Sequence, residues 1–309
     1  MNTATPAPVI VSVPDESIQA RLQLVPGAEF TVWDMLTPPP PGVAFAVMPF
    51  RLPTKALENL AGTNVSVVQS QSIGYDGVAE KLPAGITFCN GVGVHEASTA
   101  ELALTLTLAS LRGVPDFVRA QGEGRWVYAR YESLAGKRVL IIGHGGIGQA
   151  AAARFRPFEV ELDRVASRNR TDAHGSIHAF TEIADLLPHA DVTVIAVPLT
   201  ERTHKLVDDA FLSRMKPGAL LVNVSRGSIV DTDALLEHAR TGKVRAALDV
   251  TDPEPLPAEH PLWQLPGVLI SPHVGGNTDA MAPRVDRLVH AQTARLLSGQ
   301  ELLNIVLQT

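Results

Sequence analysis

The sequence predicts a two-domain α/β protein, because short apolar runs alternate with helical patterns along most of its 309 residues. The runs are almost continuously apolar, as expected for parallel strands that helices cover on both faces of a sheet. A glycine-rich turn after one run starts a second series of the same alternation. A chain of this length is also more typical of two ordinary domains than of one.

The first series of the alternation supplies four predicted strands, at 9–13, 43–47, 65–68 and 86–89. One long helix is predicted over 95–112. Ser98 or Thr99 is the predicted cap of this helix, with Glu101 in its first turn.

The second series predicts strands at 138–143, 192–198, 219–224, 246–250 and 268–272. A last helix is predicted over roughly 281–298, with Gly299 as its C-cap. The tail E-L-L-N-I-V is expected to return to the first domain. We therefore place the first domain at 1–97 plus 278–309 and the second at 98–277.

Composition narrows the class of function. A net charge of −6 argues against a nucleic-acid partner, because no basic field exists to displace counterions from phosphates. Cys89 is the only cysteine, so an internal disulfide is excluded, and no Cys/His cluster predicts a metal site. Neither a signal peptide nor an apolar tract of about 20 residues is recognisable, which favours a cytoplasmic protein without a membrane partner.

The turn G-H-G-G-I-G fits the dinucleotide fingerprint G-x-G-x-x-G at Gly143, Gly145 and Gly148, with Gly146 and Ile147 between the last two. Glycine allows first the tight turn, then close approach to pyrophosphate, and last the packing of helix on strand. An apolar run precedes the turn and an alanine-rich helical stretch follows it. This context predicts binding of a dinucleotide, with the helix N-terminus facing the phosphates.

The end of the next strand bears on the choice of cofactor. NAD sites place an acid there, whereas NADP sites use arginine for the 2′-phosphate. The sequence has Ser167, Arg168 and Arg170 at this point and no acid, which favours NADP(H) over NAD(H). A solvated surface would account for the arginines as well.

Three polar residues follow later apolar runs: Arg226, Glu254 and His273. An arginine, an acid and a histidine beyond a dinucleotide turn are the groups needed to reduce a 2-oxo acid. The arginine holds the substrate carboxylate, the histidine supplies the proton, and the acid favours the charged form of the histidine. Each residue alone also fits a structural role. Asp249 fits a contact with nicotinamide and a loop-capping acid equally well.

Several ordered tracts resemble the D-isomer-specific 2-hydroxyacid dehydrogenase family. They include N-V-S-R-G-S-I-V-D, A-L-D-V-T-D-P-E-P-L-P and I-S-P-H-V-G-G-N-T, and upstream V-V-Q-S-Q-S-I-G-Y-D-G-V. The resemblance runs from about residue 56 to the end. It implies a Rossmann-fold cofactor domain inserted into a flavodoxin-like substrate domain, and a homodimer formed through the cofactor domain.

The resemblance also implies roles for individual residues. Arg226 binds the substrate carboxylate and carbonyl, His273 is the acid/base, and Glu254 pairs with His273. The implied substrate contacts further include Arg51, Ile73 and Gly74, and the implied cofactor contacts include Val197, Pro198, Thr203, Val224, Asp249 and Gly275. The sequence departs from the family at His144 and Gly146, where leucine and arginine are common.

The strand end A-S-R-N-R is similar to the NADP-using glyoxylate and hydroxypyruvate reductases, so the sequence predicts an enzyme that interconverts a small 2-oxo acid and its D-2-hydroxy acid. One alternative is a 3-phosphoglycerate dehydrogenase, because R-L-P-T-K at 51–55 resembles its R-x-x-T-K loop. A less favoured alternative is a dinucleotide-sensing binding protein like the corepressors of the same family.

Overall fold

The computed structural model describes residues 7–22 and 25–309. The chain divides into two compact units, one formed by Met1–His95 with Asp279–Thr309 and the other by Glu96–Thr278. The second unit is thus one continuous stretch inserted between the two parts of the first. Each unit has its own mainly parallel sheet, so the predicted α/β class is confirmed.

The first unit contains a six-stranded sheet in the order β14-β5-β4-β3-β1-β2. Its strands are β1 (Val9–Val13), β2 (Ala28–Val32), β3 (Val43–Val47), β4 (Val67–Gln69), β5 (Thr87–Cys89) and β14 (Ile305–Gln308). Its helices are α1 (Glu16–Arg21), a 3-10 helix (Thr54–Leu60) and α8 (Met281–Leu297). The tail does return to this sheet, because β14 pairs antiparallel with β5. Strand β2 was not predicted.

The second unit contains an eight-stranded sheet in the order β13-β12-β11-β10-β6-β7-β9-β8. Its strands are β6 (Arg138–Ile142), β7 (Glu161–Ala166), β8 (Arg170–Asp172), β9 (Gly175–Ala179), β10 (Val192–Ile195), β11 (Ala219–Asn223), β12 (Val244–Leu248) and β13 (Val268–Ile270). Its α-helices are α2 (Glu96–Leu111), α3 (Val114–Gly122), α4 (Gly146–Phe155), α5 (Ile183–Leu186), α6 (Asp209–Arg214) and α7 (Thr232–Arg240), and short 3-10 helices lie between some of the strands. Strand order reverses between β6 and β10, and an open α/β sheet binds ligands at such a point.

Strand β6 shows why the apolar runs are continuous. Val139 and Ile141 pack into the core beneath α2 and α4, whereas Leu140 and Ile142 pack into the core on the other face of the sheet. All four are fully buried, so no position of the run remains for a polar residue. Within the described part of the chain, no helix is both long and apolar enough to cross a membrane.

Helices α2 and α8 differ in how well their predicted ends agree with the structure. The predicted cap of α2 was wrong, because this helix begins at Glu96 and both Ser98 and Thr99 lie inside it. The Ser98 hydroxyl instead forms a 2.9 Å hydrogen bond with the Thr278 hydroxyl. Gly299 ends α8 as predicted, with a φ of 66° that favours glycine.

Candidate active site

The glycine turn lies between β6 and α4, and two of its glycines are required by backbone contacts. A Cβ on Gly143 would lie 2.3 Å from the Ala196 carbonyl oxygen, and one on Gly148 would lie 1.9 Å from the Gly143 oxygen. A Cβ on Gly145 would meet nothing within 4 Å, so the space above this residue is open. Helix α4 begins at the next residue with its amides uncapped by a side chain. The turn therefore fits the pyrophosphate of a dinucleotide.

Gly146 is the first residue of α4 and has a specific neighbour. A Cβ at this position would lie 2.8 Å from Cγ of Glu96 and 3.1 Å from its Oε1. The glutamate thus fills the room that a side chain at position 146 would need. This contact could not be predicted from the sequence, because the two residues are fifty positions apart.

The strand-end residues Ser167, Arg168 and Arg170 are all exposed, and Arg170 begins the hairpin of β8 and β9. Arg164, in the middle of β7, is only 2% exposed. Its Nη1 donates to Oδ2 of Asp172 at 2.6 Å, and its Nη2 donates to the Gly175 carbonyl at 3.0 Å. A charged residue within an otherwise apolar strand is the one feature of the sequence that points to this ion pair.

His144, between the first two glycines, extends to the same hairpin. Its Nε2 lies 3.5 Å from Oδ2 of Asp172, and its side chain is 6% exposed. Burial and the nearby Arg164 charge lower the pKa of His144 despite the Asp172 carboxylate. The hydrogen bond from Arg164 holds the pKa of Asp172 well below its usual range.

A second loop follows β10 on the other side of the turn. Val197 and Thr203 are buried and Pro198 is exposed. The Thr203 hydroxyl donates to the Pro198 carbonyl at 2.7 Å and accepts from the Thr200 amide at 2.8 Å, which closes the loop on itself. Val224, also buried, follows β11.

Arg226 lies three residues beyond β11, in a turn that is fixed by hydrogen bonds of the Asn223 side chain and by close packing at Gly227. Asn223 donates its Nδ2 to the Arg226 carbonyl at 2.9 Å and accepts from the Ser225 amide at 3.1 Å. A Cβ on Gly227 would lie 1.8 Å from the Thr251 carbonyl oxygen. The Arg226 turn therefore packs directly against the backbone that leads to Glu254.

Glu254 and His273 meet as the resemblance implied. Nδ1 of His273 lies 2.6 Å from Oε1 of Glu254, and the two side chains are 38% and 35% exposed. His273 has a φ of 52°, in the left-handed region that a non-glycine residue seldom adopts. Its amide donates to the Asp249 carbonyl oxygen at 2.7 Å, which ties it to the end of β12.

The Asp249 carboxylate makes the contacts of a loop-capping acid. Its Oδ1 accepts from the Ser271 hydroxyl at 2.6 Å and the Val274 amide at 2.9 Å, and its Oδ2 accepts from the Gly275 amide at 2.9 Å. The side chain is 3% exposed, and a Cβ on Gly275 would lie 2.9 Å from Oδ2. These three hydrogen bonds account for Asp249 as a loop-capping acid, and a contact of Asp249 with nicotinamide stays a prediction.

The remaining predicted residues belong to the first unit. Ile73 and Gly74 lie in a loop after β4, where Asn90 donates to the Ile73 carbonyl at 2.8 Å. Among the described residues, no hydrogen bond uses the amides of Ile73 or Gly74. Arg51 is exposed and has a φ of 62°.

Comparison with known proteins identifies the family. Residues 104–275 match the NAD binding domain of the D-isomer specific 2-hydroxyacid dehydrogenases. The chain belongs to this family. The glyoxylate reductase/hydroxypyruvate reductase of Homo sapiens is 36% identical over 72% of this chain and 71% of its own length.

Two other known proteins are similar to this dehydrogenase. A D-3-phosphoglycerate dehydrogenase of Archaeoglobus fulgidus is 31% identical over 80% of this chain and 48% of its own length. The structure of an NADPH-dependent glyoxylate/hydroxypyruvate reductase of Sinorhizobium meliloti, in complex with NADP and malonate, is 27% identical with a TM-score of 0.79. That alignment covers 97% of this chain and 96% of the other.

The contact at Gly227 yields a first prediction. Gly227→Ala should lower the free energy of unfolding by about 1–3 kcal/mol, because the new methyl group meets the Thr251 carbonyl and the backbone has to shift. Denaturant titration measures the change. Gly122→Ala, at an exposed glycine with open space around it and no positive φ, controls for ordinary loss of glycine. An unfolding midpoint for Gly227→Ala equal to that of the unaltered protein would contradict the packing described.

Proposed function

We propose that this protein reduces a small 2-oxo acid, such as glyoxylate or hydroxypyruvate, to the D-2-hydroxy acid with NADP(H). The observation that carries the proposal is the 2.6 Å contact between Nδ1 of His273 and Glu254, because it leaves Nε2 of the ring to exchange a proton with substrate. The glycine turn lies in the same unit of the fold. The identity to glyoxylate/hydroxypyruvate reductases supports the choice of substrate.

Each residue of the proposed site has a distinct part in the reaction. The bound nicotinamide supplies the hydride. The Arg226 guanidinium holds the substrate carboxylate in a bidentate pair and polarises the carbonyl. His273 donates its Nε2 proton to the carbonyl oxygen, and the Glu254 carboxylate stabilises the charged ring before transfer. In the first unit, the amides of Ile73 and Gly74 are suited to a carboxylate because no described residue accepts from them.

The same proposal assigns the cofactor contacts. The backbone at Gly143, Gly145, Gly146, Ile147 and Gly148 takes the pyrophosphate, and Val197, Pro198, Thr203, Val224, Asp249 and Gly275 surround the nicotinamide half. The exposed Arg168 and Arg170 bind the 2′-phosphate, with Ser167 beside them. A soluble dinucleotide and a small anionic substrate suit the cytoplasm, where we expect the enzyme to act.

A 3-phosphoglycerate dehydrogenase is the second candidate, supported by the exposed Arg51 and by the relative from Archaeoglobus fulgidus. The exposed arginines at the end of β7 favour a phosphorylated cofactor and count against it. The third candidate, a dinucleotide-sensing binding protein, would bind cofactor without turnover.

We further propose that the protein is a homodimer through its second unit. Helix α3 and the stretch after it expose a set of large apolar side chains, which a partner subunit would remove from water: Val114, Phe117, Val118, Trp126, Val127 and Tyr128. Trp126 and Tyr128 are each 96% exposed. Aromatic residues exposed in this way are typical of protein interfaces.

The central prediction concerns turnover. The unaltered protein should oxidise NADPH with glyoxylate or hydroxypyruvate, and His273→Gln should lower kcat by about 10²-fold or more because the proton donor is lost. Cofactor affinity, followed by nicotinamide fluorescence, should stay the same. His189→Gln, at an exposed histidine elsewhere in the unit, is the control.

The substrate panel for this assay separates the candidates. It contains glyoxylate, hydroxypyruvate, 3-phosphohydroxypyruvate and glycolaldehyde, which lacks the carboxylate that Arg226 requires. Preference for the phosphorylated acid, lost in Arg51→Ala, would establish the second candidate, and cofactor binding without any turnover would establish the third. Equal rates with glycolaldehyde would reject the 2-oxo acid class.

A further prediction concerns the cofactor. Arg168→Asp should reverse or abolish a preference for NADPH over NADH, because a carboxylate repels the 2′-phosphate and accepts from ribose hydroxyls. Dissociation constants for both cofactors measure the preference. Arg156→Asp, at an exposed arginine after α4, controls for general loss of positive charge. Equal affinity of the unaltered protein for both cofactors would make Arg168 an ordinary surface charge.

The dimer is tested by sedimentation. Trp126→Asp with Tyr128→Asp should convert the dimer to a monomer, because two charges are then buried in an apolar contact without partners. Leu36→Asp, at a 64% exposed leucine of the first unit, should leave the mass unchanged. A monomeric unaltered protein, or a dimer that survives the double substitution, would refute this interface.

A further inference from the structure

His144 places an ionisable ring inside the glycine turn. Its side chain is 6% exposed, and its direction is toward β8, since Nε2 lies 3.5 Å from Oδ2 of Asp172. Nδ1 is buried and has no hydrogen-bond partner within the described part of the chain. The ring can therefore gain or lose the proton on Nδ1 without breaking a bond to the protein.

The charges around His144 come from the two strands against which it lies. Strand β7 contributes Arg164, and β8 contributes Arg170 and Asp172. The carboxylate of Asp172 is committed to Arg164 at 2.6 Å, and its Oδ1 accepts from the His174 amide at 2.7 Å. Asp172 favours the charged ring, but burial and the positive charges of Arg164 and Arg170 outweigh it, so that the pKa of His144 is lowered. The free protein therefore favours the neutral ring.

We propose that His144 becomes protonated when the 2′-phosphate of NADP(H) binds beside Arg168 and Arg170, so that this histidine helps the enzyme select the phosphorylated cofactor. The inference rests on the proposed use of NADP(H). A phosphate dianion at the strand end reverses the local balance, because it offsets the arginine charges that oppose a charged ring. NADH carries no phosphate at this position, so its binding leaves His144 neutral.

Linkage fixes the sign of the effect. The pKa of His144 is lowered in the free protein by burial and by Arg164, and the bound dianion raises it. Binding of NADPH then takes up a proton at pH values between the free and bound pKa, and affinity decreases as pH rises through that window. Each unit by which the phosphate raises the pKa contributes up to about tenfold in affinity. The 2′-phosphate itself titrates near pH 6 and has the opposite effect.

The experiment compares the unaltered protein with His144→Leu, which removes the ionisable ring, and with His189→Gln as the control. Isothermal titration calorimetry in two buffers of different ionisation enthalpy measures protons taken up with NADPH and with NADH. We expect greater proton uptake with NADPH than with NADH in the unaltered protein and in His189→Gln. In His144→Leu this excess uptake with NADPH should be absent, and only proton release from the 2′-phosphate should remain. Between about pH 6 and pH 8, the NADPH dissociation constant should rise in the unaltered protein by a factor that is about three to ten times larger than the factor in His144→Leu.

Several outcomes would overturn the inference. Equal proton uptake with both cofactors would assign the effect to the shared pyrophosphate. Equal pH dependence in all three proteins, with NADPH bound tightly, would show that His144 does not titrate on binding, and the proposed cofactor would stand. Absence of NADPH binding would reject the proposed cofactor and this inference together. His144→Asn, which cannot carry the charge, provides a second variant should leucine disturb the fold.

Discussion

The Asp249 carboxylate is the interaction on which the proposed catalytic geometry depends. Three donors from the turn at 271–275 converge on its two oxygens in a buried site. His273 lies within that turn at a positive φ, and its own amide bonds to the Asp249 backbone. Since an unfavourable backbone conformation persists only where neighbouring contacts impose it, the buried carboxylate keeps His273 directed at Glu254.

Because Asp249 supports the backbone of His273, contact with the imidazole ring is left to a different acid. Glu254 contacts the ring, whereas Asp249 positions the backbone that carries the ring. A carboxylate that accepts three bonds in a buried setting has little freedom to move. The histidine side chain itself remains 38% exposed and accessible to substrate. Rigid support beneath an open reactive group is the arrangement expected where orientation determines rate.

Much of this fold followed from the sequence, because continuous apolar runs such as 138–143 have one stable environment, a strand covered on both faces. The contact between Glu254 and His273 also followed, since these residues come after β12 and β13, two neighbouring parallel strands. The hairpin of β8 and β9 did not follow. Its strands are three and five residues long and mostly exposed, so no apolar periodicity marks them. The contact of Glu96 with Gly146 likewise depends on how α2 packs on α4.

The discontinuity of the first unit has a consequence for synthesis of the chain on the ribosome. Strand β5 precedes the inserted second unit in sequence, yet its antiparallel neighbour β14 follows that unit and is translated later. The second unit, in contrast, is complete in sequence once Thr278 has emerged. The nascent chain can thus finish the inserted sheet while the outer one still exposes the backbone edge of β5. Pairing of β14 with β5, which has to wait until the second unit has been translated, closes that edge and removes a site for wrong strand pairing.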